Sequence, residues 1–244
     1  MKRLLPSVLG ILFLWTITVH AQNIPTSPAI IQTGKFLGVS KPLRDLPILS
    51  HEEFLKLEKK GRNKELNEGL KKRYYPYAAT ALPKGADPAW QHEMGKNTQP
   101  KAPLINFEGQ ASPFYPPDCN GACGPNHYIQ MVNCTYAIYS KSGALLAGPT
   151  QINQIFGSVS GSGYNDGDPI VLYDEQADRW LITEFSISGN PDYILMAIST
   201  TGDPTGTYYQ YSFILPTTPD YPKFGVWQDG YYLGVNNGTK NDIF

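Results

Sequence analysis

From residue 102 onward, apolar positions come in short runs, and each run is closed by residues that favour turns. His127–Asn133 is one such run. Ala137–Ser140 and Ala144–Ala147, joined by Lys141-Ser142-Gly143, read as a hairpin. Pro169–Tyr173 and Arg179–Phe185 flank the polar turn Asp174–Asp178 and form a second. Tyr193–Ser199 and Tyr208–Ile214 flank Thr201-Gly202-Asp203-Pro204-Thr205-Gly206 and form a third. A strand therefore recurs every ~10–14 residues with no helix between, which predicts an antiparallel all-β architecture.

The pattern also repeats at longer range. Tyr128-Ile129, Trp180-Leu181 and Tyr232-Leu233 each follow a polar turn and open an apolar strand, at spacings of 52 and 52. Asp168 and Asp220 are 52 apart, and Asp118 lies 50 before Asp168. Asp168 to Phe213 holds four strands. Four strands in a period of ~40–50 residues describe a β-propeller blade, with a β-sandwich as the competing architecture. In a propeller each blade starts with its innermost strand. Asp118, Asp168 and Asp220 would then converge on one rim, beside Asn120, Asn165 and Asp166. Converging carboxylates repel unless a cation, a proton or a donor offsets them.

The first hundred residues differ. Lys2 and Arg3 precede the apolar run Leu4–Val19, and Val19-His20-Ala21 places small residues where a signal peptidase cuts. Residues 1–21 are expected to be an export signal and Gln22 the mature start, with no membrane span in the mature form. Residues 22–103 form a basic, partly helical segment and linker. Ser50-His51-Glu52-Glu53 reads as a capping box, with Leu49 and Phe54 at the hydrophobic-staple positions. Phe54, Leu57, Leu66 and Leu70 fall near one helix face, and Pro76 stops the helix.

Charge sharpens that boundary. Residues 22–101 carry 14 Lys/Arg and 8 Asp/Glu, a net of +6; residues 102–244 carry 4 and 13, a net of −9. The lysines and arginines between Lys56 and Arg73 alternate with Glu58, Glu65 and Glu68. That mixture describes a solvated helix face, and a nucleic-acid partner is not expected. Cys119, Cys123 and Cys134 are close in sequence, and a disulfide within the trio suits an exported chain.

One stretch, Asp118-Cys119-Asn120-Gly121-Ala122-Cys123-Gly124-Pro125-Asn126-His127-Tyr128-Ile129, resembles a widespread group of secreted bacterial propeller-like proteins. Asn165-Asp166-Gly167-Asp168-Pro169-Ile170-Val171-Leu172-Tyr173-Asp174, Gly202-Asp203-Pro204-Thr205-Gly206 and Tyr221-Pro222-Lys223-Phe224-Gly225-Val226-Trp227 carry the resemblance too. It spans about residues 105–244. It implies an incomplete propeller of about two and a half blades over 104–244, location outside the cell or at its surface, and further C-terminal blades or modules. It implies no catalytic residues. Cys119 and Cys123 stand where the group is expected to have other residues, and the chain stops inside what should be the third blade.

No P-loop, H-E-x-x-H, G-x-S-x-G or dinucleotide fingerprint occurs. The Gly-Ser run Gly157–Gly163 reads as a flexible loop. Three functions remain open. The first is a non-catalytic interaction module for a glycan or protein, with Tyr208, Tyr209, Tyr211, Tyr231, Tyr232 and Trp227 as stacking candidates. The second is a glycoside hydrolase, by analogy with the five-bladed arabinanase and xylosidase group, with Asp168 as base and Glu184 as acid. Such chemistry needs its carboxyls ~5–9.5 Å apart. The third is calcium binding through Asp118, Asn120, Asp166 and Asp168, since hard oxygen ligands suit Ca²⁺.

Overall fold

A computed structural model describes residues 35–60, 93, 102–112, 114, 116–215, 218–236 and 241–243. The expected export signal, the basic run beyond Lys60 and the helix stop at Pro76 lie outside the described residues. Among these, no helix is long and apolar enough to cross a membrane.

The fold is all-β, with three antiparallel sheets. The first contains β2 (Asn120–Cys123), β3 (His127–Val132), β4 (Thr135–Ser140) and β5 (Leu145–Gln151), in that spatial order. The second contains β6 (Ile170–Asp174), β7 (Arg179–Ser186), β8 (Tyr193–Ser199) and β9 (Tyr208–Ile214), and its far edge takes β1 (Phe36–Val39). The third contains β10 (Asp220–Trp227), β11 (Gly230–Asn236) and β12 (Asn241–Ile243). Every strand pairs with its neighbour in sequence except β1, so each sheet is a meander. No set of sheets closes into a ring among the described residues.

The turns form for local reasons. Asp174 Oδ1 accepts the backbone N–H groups of Gln176 and Ala177, both at 3.0 Å, and so bends the chain between β6 and β7. Asp203 Oδ1 does the same for Thr205 N at 2.9 Å. Helix α1 (His51–Lys60) begins with the expected reciprocal cap: Ser50 N donates to Glu53 Oε2 at 2.8 Å and Glu53 N donates to Ser50 Oγ at 3.2 Å. These bonds to the ionised form, the backbone one foremost, lower the Glu53 pKa.

Two apolar clusters hold the sheets face to face. The larger joins Ile129, Met131, Tyr136 and Ile138 of the first sheet to Val171, Trp180, Ile182 and Leu195 of the second. The smaller joins Phe185 and Ile194 of the second sheet to Leu233 and Val235 of the third. The second sheet is thus covered on both faces, and β7 is buried along nearly its whole length. Burying one such side chain contributes ~1.5–3 kcal/mol, so these interfaces dominate stability.

Two segments depart from the expectations. The basic N-terminal stretch does not end at the charge boundary. Phe36 pairs with Tyr211 and Val39 with Tyr209, Leu43 and Leu46 enter the larger cluster, and Leu49 N reaches Pro149 O at 2.9 Å. This strap covers the outer edge of the second sheet and ties it to β5 of the first. The Gly-Ser run is pinned although most of it is exposed: Ser162 is buried and its Oγ donates to Gly157 O at 2.7 Å. Ile152, Ile155 and Phe156 are fully buried just before it, and Ser186 Oγ donates to Gly161 O at 2.7 Å across it.

Candidate functional site

The first strands of the sheets lie side by side, β2 against β6 and β6 against β10. Asn120 fastens the first pair, its Oδ1 accepting Val171 N at 2.8 Å. At the start of these strands the chain turns through the left-handed region three times, at Asp118 (φ 39°), Asp168 (φ 46°) and Tyr221 (φ 51°). Each turn opens a triplet: Asp118-Cys119-Asn120, Asp168-Pro169-Ile170 and Tyr221-Pro222-Lys223. All nine residues line one cavity of about 230 Å³.

This places two of the three expected acids together. The third position belongs to Tyr221, and Asp220 does not line the cavity. Tyr221 stands six residues before the end rung Trp227, as Asp168 stands six before Asp174, so the connection ahead of β10 is one residue longer than a 52-residue repeat allows. The turn between β10 and β11 is two residues shorter than that between β6 and β7, and this makes Tyr231, rather than Tyr232, the equivalent of Trp180: Tyr173↔Trp180 and Val226↔Tyr231 are matching rungs. Lys223 fills the third triplet, with Nζ 3.9 Å from the centre of the Tyr221 ring.

Around the cavity, Asn133 acts as a clasp. Its Nδ2 donates to Asp118 Oδ2 and its Oδ1 accepts Asp168 N at 2.9 Å. Gly167 must be glycine here, because its φ is +95° and a Cβ would overlap the Asn133 amide.

The calcium ligand set is not gathered at one point. Asp118, Asn120 and Asp168 share the cavity, but the Asp166 carboxylate is engaged elsewhere. It accepts Ile187 N at 2.7 Å, Ser188 N at 2.8 Å and the Ser188 hydroxyl. Asn165 donates to Cys134 O at 2.9 Å. Among the described residues no group of three or more His, Cys, Asp or Glu side chains is arranged to hold a metal ion.

Nor is the expected disulfide formed. Cys119, just before β2, and Cys123, at its end, are exposed thiols. Four residues of extended chain separate them by ~13 Å, well beyond the ~7 Å that a disulfide spans. Cys134 is buried.

Glu184, the acid candidate, lies in the core of the second sheet. It has no exposure, and neither carboxyl oxygen makes a hydrogen bond of normal geometry. Burial first, and the negative charge of Asp166 second, push its pKa well above the usual carboxylate range, opposed in part by the Gly167 N–H. A carboxyl sealed between sheets cannot reach a glycosidic oxygen, so the Asp168–Glu184 pair lacks the shared open cleft that hydrolysis requires. Of the aromatic candidates, Tyr208 is fully buried and Tyr231 is tied to Asp174 Oδ2 at 3.0 Å. Burial first and that bond second push the Tyr231 pKa up to about 12. Trp227, Tyr232 and Tyr209 are exposed.

No family model, no curated protein and no solved structure matches the chain.

Proposed function

We propose that the chain is an exported, non-catalytic interaction module built on the β-propeller plan, and that its ligand surface is the rim where the first strands meet. One observation carries this reading: three equivalent triplets, far apart in sequence, line a single cavity. Successive meander sheets whose first strands lie together are what a propeller requires.

The chemistry of the rim suits a hydroxyl-rich ligand, a glycan terminus. Asp118 and Asp168 supply acceptors and Lys223 a donor. An aromatic ring at Tyr221 gives a sugar face something to stack on. Glu184 plays no part in the binding chemistry, since no ligand reaches it.

A glycan array probed with the full chain tests this, together with Lys223→Ala and Asp168→Asn. Binding that falls about tenfold or more in each variant is expected, the scale of a lost charge-assisted hydrogen bond. Binding unaffected by both variants, no binding across the array, or hydrolysis of arabinan or xylan by the unmodified chain would overturn the reading.

A further inference from the structure

Strand β7 carries one polar group that the rim chemistry leaves unused. Glu184 is fully buried, and neither carboxyl oxygen has a hydrogen bond of normal geometry. It pairs with Leu195 and stands two residues from Ile182, both in the larger apolar cluster, so alternation turns it toward the first sheet. The turn ahead of β6 runs along the same stretch of β7. Phe185 N donates to Gly167 O at 3.2 Å, and the charge of Asp166 acts on Glu184.

Asp166 is also a clasp. Its carboxylate accepts Ile187 N at 2.7 Å, Ser188 N at 2.8 Å and the Ser188 hydroxyl. These bonds pin the start of the connection between β7 and β8, residues 187–192. Gly189 in that connection lies against the Tyr164 ring, where a Cβ would come within 2.9 Å. None of residues 187–192 is buried, whereas β7 is buried along nearly its whole length. Two residues beyond Asp166, Asp168 lines the rim cavity, and its N–H is held by Asn133 Oδ1 at 2.9 Å. Asp166 thus ties the connection to the rim turn, and a sealed carboxyl lies beside the tie.

We propose that Glu184 is a proton-operated latch: while its carboxyl is protonated the connection 187–192 stays clasped to Asp166, and when the proton passes to solvent the connection and the rim turn 166–168 open together. A protonated Glu184 sets no charge beside Asp166. An ionised one is an uncompensated buried charge facing a like charge, which is strongly destabilising. Relief comes where least is buried, so water enters through the connection and the sheets stay together. The other titratable side chains on the packed elements are Cys134 in the β3–β4 turn, which meets Gly167, Tyr136 of β4, Tyr193 of β8, and Asp192, which accepts the Thr218 hydroxyl at 2.7 Å. Each of these is neutral or negative in either form, so none offsets an ionised Glu184.

Hydrogen exchange of the full chain, followed amide by amide against pH, tests the latch. For Ile187, Ser188 and Asp168, the ratio of observed to intrinsic exchange should rise about tenfold per pH unit above about pH 5, until the folded-state pKa of Glu184 is passed, because opening releases one proton. Glu184→Gln should flatten that rise. Ser188→Ala removes one bond to Asp166 at a half-buried position; it should raise opening about tenfold at every pH and keep the slope. The amides of Leu195 and Ala197 in β8 should exchange far more slowly throughout. The latch is refuted by a parent protein without the rise, by a rise that survives Glu184→Gln, by opening indifferent to Ser188→Ala, or by a connection that exchanges no faster than β8, which would make the event global unfolding. No glycan enters the measurement, so its failure is separate from a failure of ligand binding at the rim.

Discussion

Glu184→Gln is expected to stabilise the protein at pH 8 and to leave it nearly unchanged near pH 4. The carboxyl is fully buried without a hydrogen bond of normal geometry, and its pKa lies well above the usual carboxylate range. The folded state therefore holds a proton that the unfolded state releases. Stability from this group is complete below about pH 4.5 and is lost as the pH rises, until the folded-state pKa is passed. Glutamine has the shape of the protonated acid and cannot ionise, so the loss disappears. At pH 8 the variant should melt higher than the parent, because folding the parent takes up a proton that its unfolded chain has released. Thermal melts across pH 4–8 measure it; the difference between variant and parent should grow with pH. A glutamine variant that melts lower at pH 8, or a difference constant with pH, would mean that Glu184 is ionised in the folded protein.

The second large effect is at the junction of the first two sheets. Trp180 is fully buried, lies 4.9 Å from Tyr173 and donates its indole N–H to Gly202 O at 3.0 Å. Trp180→Ala should cost about 3–5 kcal/mol, through the cavity it leaves. Gly124→Ala should cost about 1–3 kcal/mol by overpacking, because its new Cβ meets the ring at 2.5 Å. Once the ring is removed, the added methyl has room. The double variant should therefore be less destabilised than the two single losses predict, by about 1–2 kcal/mol. Urea unfolding of the four proteins gives that coupling directly. Strict additivity would show that residues 124 and 180 are not in contact, and with them the two sheets.

Much of this fold is written locally. Short side chains that bond their own backbone set the turns at Asp174 and Asp203, and the Ser50–Glu53 pair sets the start of α1, so hairpins and cap could be read from adjacent residues. Convergence of Asp118 and Asp168 was legible too, because equal spacing in a repeat means equivalent place. The third site was not. A longer connection before β10 and a shorter turn after it carried a fixed interval onto Asp220 and Tyr232, each one residue from the true equivalents Tyr221 and Tyr231. The strap was hidden for a different reason: β1 finds its partner β9 at the far end of the chain, and no local pattern encodes that. The burial of Glu184 is not legible in the sequence, because a polar residue in an alternating strand reads as facing water. Sheet two has no wet face, so a polar residue in β7 is a buried one.

The central claim is that the first strands of three sheets come together at one rim. Cross-linking tests it most directly. In a Cys123→Ser background, Lys223→Cys places a second thiol in the cavity that Cys119 already lines. A short bifunctional maleimide should join residues 119 and 223 within one chain, seen as a single intramolecular adduct by mass spectrometry of the proteolysed protein. If both thiols react singly and no such adduct forms, the strands do not meet.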